Sequence, residues 1–196
     1  MSSQIIISIG RIYSVATILA AMALAAAFLL GETDPETANL AARYTARVSF
    51  LMFVVVIVTG PAARIWRGGI WSQFARRRRH LGLAFAALML VHLIALGVNV
   101  AMFNPRPLLE MLAGGAIYAF IAALAITSND WSQRRMGKWW RRLHWIGVTV
   151  ILLTFLRSYG SRLFEAEYFV VGAVFTPIAV GALLVRILAA LRKLRS

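Results

Sequence analysis

Cysteine is absent from the 196 residues. Its absence excludes disulfides, thiolate zinc sites, iron–sulfur clusters and the thioether attachment of a c-type haem. Acidic residues are almost as scarce, seven against 21 Lys and Arg, and histidine occurs only three times. No carboxylate stands near a histidine in sequence, which leaves a compact three- or four-ligand zinc site without donors. No Ser-His-Asp or Cys-His arrangement is present, so nucleophilic catalysis has no candidate residues and no catalytic side chain is assigned. Polar stretches long enough to hold a soluble nucleotide-binding domain are missing too.

What is present is apolar: 61% of the residues. A water-soluble surface is hard to build from that composition, and the charges gather between long apolar runs. Spanning a bilayer takes about 20 mostly apolar residues. Six runs approach that length, at about 12–30, 48–63, 81–103, 108–126, 139–156 and 168–185. The fifth is extended back to Trp139, with Arg141 and Arg142 snorkelling to the headgroups. The first continues through Phe28, Leu29 and Leu30 beyond the small residues at 25–27, so it reads as a retained span rather than a signal peptide. The expected fold is an all-α integral membrane protein, a six-helix antiparallel up-and-down bundle forming one domain over 1–196.

The net charge of +14 raises the question of nucleic acid, and its distribution answers it. The N-terminus, the 64–79 and 130–142 loops and the C-terminal tail fall on one side. They carry sixteen basic residues and one acid, Asp130, a net +15. The opposite side holds Arg43, Arg47, Arg106, Arg157 and Arg162 with six acids, a net −1. By the positive-inside rule the basic side is cytoplasmic, with both termini there. All six tryptophans lie in or beside the two basic loops, as an aromatic belt at the inner interface would require. The charge therefore serves topology and anionic membrane lipid, with no nucleic-acid partner.

Breakers mark the turns. Pro35 sits in an acidic outer loop at 31–39, Thr59-Gly60-Pro61 is expected to end the second helix, and Asn104-Pro105-Arg106-Pro107 ends the third. Gly114-Gly115 in the fourth permits close helix or cofactor approach. The three histidines fall on the third and fifth helices: His80 and His92 on one, His144 on the other. His92 lies mid-span, where an ionisable residue is costly and marks a functional site by default. The plainer alternatives are a neutral His92 bonded to a backbone carbonyl, an interfacial His144 facing headgroups and a polar helix-end His80. Neutral imidazole is also the commonest non-covalent holder of haem iron in a membrane bundle.

A series of short motifs resembles a known family. Thr45-Ala46-Arg47, Thr59-Gly60-Pro61-Ala62-Ala63-Arg64 and Arg78-Arg79-His80-Leu81-Gly82-Leu83, with His92 following, come first. Arg106-Pro107-Leu108, Leu124-Ala125-Ile126-Thr127-Ser128 and Gly137-Lys138-Trp139-Trp140-Arg141-Arg142-Leu143-His144 continue in the same order. Together, from about Tyr44 to His144, they resemble the haem-binding membrane subunit (the YedZ type) of the bacterial periplasmic protein-methionine-sulfoxide reductase system. That subunit belongs to the ferric-reductase-like transmembrane family.

The resemblance implies haem b, one or two groups, between the third and fifth helices, with His92 and His144 as iron ligands. Where the family carries a second histidine on the fifth helix, this chain has Arg157, a residue able to pair with a haem propionate. His80 stands where that subunit type carries an apolar residue. Depth pairs the histidines differently. His80 and His92 lie about 18 Å apart along their helix, and His80 and His144 both enter their helices near the cytoplasmic surface. Depth favours His80 with His144; the family pattern favours His92 with His144. The function implied is that of an electron-transfer subunit of an oxidoreductase in the bacterial inner membrane. A cytoplasmic flavin reductase or a quinol donates, with FMN or a quinone as further cofactor, and a periplasmic molybdenum-containing sulfoxide reductase accepts. Two alternatives stand beside it: a single-chain transmembrane reductase acting on a metal or oxygen, and a haem-poor scaffold.

Overall fold

The computed structural model describes residues 7–66 and 69–195, apart from the side chains of 193–195. Arg67 of the basic tally lies outside the described residues. The described chain is helical almost throughout: α1 Ile9–Leu30, α2 Asp34–Ile65, α3 Gly69–Arg76, α4 Arg78–Met102, α5 Leu108–Ile126, α6 Asp130–Met136, α7 Lys138–Ser161 and α8 Phe169–Arg195, with two 3₁₀ turns between the last two. Six of these helices, α1, α2, α4, α5, α7 and α8, are long and apolar enough to cross a membrane. The short α3 and α6 sit inside the two basic loops, where no helix was expected.

Helix ends follow local chemistry. Ser8 caps α1, its hydroxyl accepting from the Arg11 amide at 3.2 Å. Asn129 caps α6 by accepting from the Ser132 amide at 2.7 Å. Gly137 turns the chain between α6 and α7 at φ +51°, a conformation that favours glycine.

The largest departure from expectation is α2, which starts fourteen residues before the expected 48–63 span. Thr33 accepts from the Glu36 amide (3.4 Å), and Glu36 reaches back to accept from the Glu32 amide (3.1 Å). This is a capping-box pattern, and it tolerates Pro35 in the first turn, where a missing N–H costs nothing. At the other end α2 runs through Pro61 to Ile65. One lost backbone bond bends or weakens a membrane helix without ending it. Likewise α7 and α8 extend past the expected 139–156 and 168–185.

Two compact units divide the chain: residues up to Phe53 with Arg79–Ser128, and Val54–Arg78 with the residues from Asn129 on. In the first unit, three contacts set α2 antiparallel to α4. Ala41 clusters with Ala95 and with Ala27 of α1, Thr45 meets His92, and Phe53 packs on Phe85 at 5.1 Å between ring centroids. Small residues at the triple-alanine contact let the helices approach closely. The register carries 34–47 alongside the C-terminal half of α4. Arg43 and Arg47, counted above as outer-side charges, therefore lie within the span, and Arg47 stands near the middle depth of α4.

In the second unit α7 and α8 are antiparallel, fixed by Tyr159 stacked on Phe175 (4.9 Å) and by Arg186 reaching Thr149 (3.4 Å). Thr149 is eleven residues from the start of α7 and twelve from its end. Arg186, counted above with the cytoplasmic tail, is thus level with the middle of a spanning helix. The apolar run ends at Val185, but α8 continues ten residues beyond it to Arg195.

Candidate functional site

His92 lies on the buried seam of α4, in step with Leu81, Phe85, Leu88, Ala95 and Asn99 at alternating spacings of three and four. Its Nδ1 is 3.2 Å from the hydroxyl of Thr45, which is 2% exposed on α2. That hydroxyl has one hydrogen, and it is donated to the Ala41 carbonyl at 2.6 Å. Toward His92 the oxygen therefore accepts, so Nδ1 carries the ring proton and Nε2 carries the lone pair. The ring also faces Tyr118 of α5, with centroids 6.2 Å apart.

His144 reaches the same state by a shorter route. Its Nδ1 lies 3.1 Å from the carbonyl of Trp140, one turn earlier on α7. A carbonyl only accepts, so this nitrogen is again the donor and Nε2 the lone-pair atom. The Trp140 ring stacks on the imidazole at 4.0 Å between centroids and holds its plane.

His80 differs. Its Nδ1 faces the Tyr13 hydroxyl of α1 at 3.2 Å, in an edge-on ring contact. A phenol donates or accepts equally well, so nothing sets which nitrogen keeps the lone pair. Arg157 is exposed on α7, thirteen residues and about 20 Å beyond His144.

His80 and His92 belong to the first unit, each with its own partner and about 18 Å apart on one helix. His144 and Arg157 belong to the second. Among the described residues, no three His, Cys, Asp or Glu side chains converge as a metal cluster. A haem does not need one. It needs imidazole Nε2 atoms directed by a second-sphere acceptor, which is the donor set His92 and His144 present. It also needs cationic donors for its carboxylates. In the second unit Arg186 Nη1 is buried without a hydrogen-bond partner.

Several of these residues escaped the sequence reading. Thr45 falls in the Thr45-Ala46-Arg47 motif, whose sequence does not reveal its partner. Nothing in the local sequence sets Tyr13 and Tyr118 apart from other aromatics of apolar runs, or Thr149 from any mid-helix threonine. Each acts through a residue at least 26 positions away, and no local pattern reports such a pairing. The one available signal was Thr45 itself, a hydroxyl within reach of a span.

No family model and no solved structure matches the chain. Curated relatives do. The heme-binding subunit MsrQ of protein-methionine-sulfoxide reductase from Yersinia pseudotuberculosis serotype O:1b (strain IP 31758) is 29% identical over 134 residues, 63% of this chain and 64% of the relative. Its counterparts from Yersinia pestis strains Pestoides F and bv. Antiqua Angola are also 29% identical over 134 residues, with 63% of each chain covered. The match thus spans a little under two thirds of these relatives. Over that stretch, this six-span helical chain is similar to proteins named as heme-binding subunits of a methionine sulfoxide reductase.

Proposed function

We propose that the chain is a membrane-embedded b-type cytochrome of the ferric-reductase-like transmembrane kind, folded as one functional domain. It passes electrons from a cytoplasmic-side flavin or quinol donor across the bacterial inner membrane to a periplasmic acceptor, a molybdenum-containing methionine sulfoxide reductase. The observation that carries the reading is shared by His92 and His144. Both lie on membrane-spanning helices, and each has its Nδ1 proton taken up by an acceptor of the helices, which readies Nε2 for iron. His92 and His144 are accordingly the ligands on α4 and α7, and His80 is the second choice on α4. Arg157 pairs with a propionate toward the outer end of α7.

Haem supplies one-electron redox chemistry at a potential set by its ligands and surroundings. The protein's own part is distinct. Thr45 and the Trp140 carbonyl orient the rings, the apolar spans exclude water, and the arginines stabilise carboxylates. Sidedness rests on charge. With Arg43, Arg47 and Arg186 assigned to the spans, the inner side keeps fifteen bases and one acid, the outer side three bases and six acids. The asymmetry becomes +14 against −3, and it favours cytoplasmic termini.

A haem-poor scaffold is the second reading, favoured by Arg157 at the position of the family's other histidine, since a guanidinium has no lone pair for iron. A visible spectrum of the purified protein with and without dithionite separates the two. A reduced-minus-oxidised b-type difference is expected. A folded, colourless protein from haem-replete cells would overturn the electron-transfer reading.

A further inference from the structure

Arg186 is the least expected charge in the molecule. It sits on α8 at the depth of Thr149, near the midpoint of α7, within the apolar run that holds Leu184, Val185, Ile187 and Leu188. An arginine at that depth is expensive and rare, and it marks a ligand or a transport path.

One arm of the guanidinium is anchored. The Thr149 hydroxyl donates its hydrogen to the Trp145 carbonyl at 2.8 Å, so it accepts from Arg186 Nη2 at 3.4 Å. The other arm is different: Nη1 is buried and has no hydrogen-bond partner. A charged donor in an apolar setting without an acceptor is strongly disfavoured, and a guanidinium cannot escape by losing its proton. An acceptor therefore belongs there, and none of the described residues provides one. In the second unit the acids are Asp130, Glu165 and Glu167, and none lies within α7 or α8.

We propose that Arg186, anchored by Thr149, is the carboxylate-binding site for the haem held by His144, and so retains that haem within the membrane. The inference rests on the haem reading above. His144 precedes Thr149 by five residues on the same helix, a level difference of about 7.5 Å and a turn of about 140°, so the propionyl arm would pass partway around α7 to meet Arg186. The pairing is a charge-assisted hydrogen bond in a dry setting, where such bonds are strongest.

The test uses the full chain in detergent, stripped of haem. The apoprotein is titrated with iron protoporphyrin IX and with its dimethyl ester, whose carboxylates are blocked, and binding is followed at the Soret band. The wild type is expected to prefer the free acid by at least about tenfold, the worth of one hydrogen bond to a charged group. Arg186→Gln should lose most of that preference, keeping only what Arg157 supplies, Arg186→Lys should keep more of it, and Thr149→Val should reduce it while leaving the fold unchanged by circular dichroism. Equal affinities in the wild type, or an unchanged preference in Arg186→Gln, would overturn the assignment. A wild type that binds neither form would overturn the haem reading itself, which is a separate result.

Discussion

Replacing Thr45 with valine isolates one oxygen atom. The two side chains have nearly the same shape, so the α2–α4 contact around Ala41, Ala95 and Phe53 keeps its packing. What disappears is the acceptor 3.2 Å from His92 Nδ1, at a position 2% exposed. A buried donor left without its partner costs about 1–3 kcal/mol. The Ala42 carbonyl also interacts with the ring and offsets part of the loss, so about 1–2 kcal/mol is expected. If His92 ligates iron, Thr45→Val should weaken haem retention at that site by about tenfold, at the low end of the effect of outer-shell partners on metal affinity. The midpoint potential should rise by tens of millivolts, because an imidazole that donates less strongly from Nδ1 is a poorer base and stabilises the ferric state less. A redox titration of purified Thr45→Val and Thr45→Ser in detergent measures this. Serine restores the hydroxyl and should return the wild-type potential. A valine variant with wild-type potential and wild-type haem content would refute the tautomer argument and remove Thr45 from the site.

Other outcomes follow from the same contacts. His144→Ala should abolish haem binding on α7, and full haem retention would refute that ligand. His92→Ala should lose haem as His144→Ala does while His80→Ala stays nearly silent; the reverse, read from haem stoichiometry and reduced spectra, would restore the pairing of His80 with His144. A reporter active only in the cytoplasm should work when fused after Arg195 and fail when inserted near Pro105, and the opposite pattern would overturn the charge-based orientation. Gly172→Ala should destabilise the turn between α7 and α8, because the added Cβ would lie 2.8 Å from the Leu163 amide nitrogen and 2.9 Å from the Arg162 carbonyl carbon. Backbone cannot swing aside as a side chain can, so a loss of about 1–3 kcal/mol is expected; a thermal melt matching the wild type would contradict the contact.

The apolar runs alone indicated six helices long and apolar enough to cross a membrane. Apolar run length is a local property, and a helix satisfies its own backbone bonds without help from neighbours. Charge partition was legible for the same reason, since the basic loops of 64–79 and 130–142 are contiguous in sequence. His92 stood out because an ionisable side chain inside an apolar run is conspicuous by itself. The register of the helices was a matter for tertiary structure. In sequence, Arg43 and Arg47 looked like loop charges and pushed the second span inward to 48–63. The packing of Ala27, Ala41 and Ala95, together with the capping of α2 at Thr33, draws that segment back into the span. The same holds for Arg186, whose depth follows from Thr149 and from the Tyr159–Phe175 stack. The lone pair of His92 depends on a hydroxyl 47 residues away, and that hydroxyl's role depends in turn on the Ala41 carbonyl. Local sequence specifies which segments leave water; only the contacts between them decide the depth at which each polar group comes to rest.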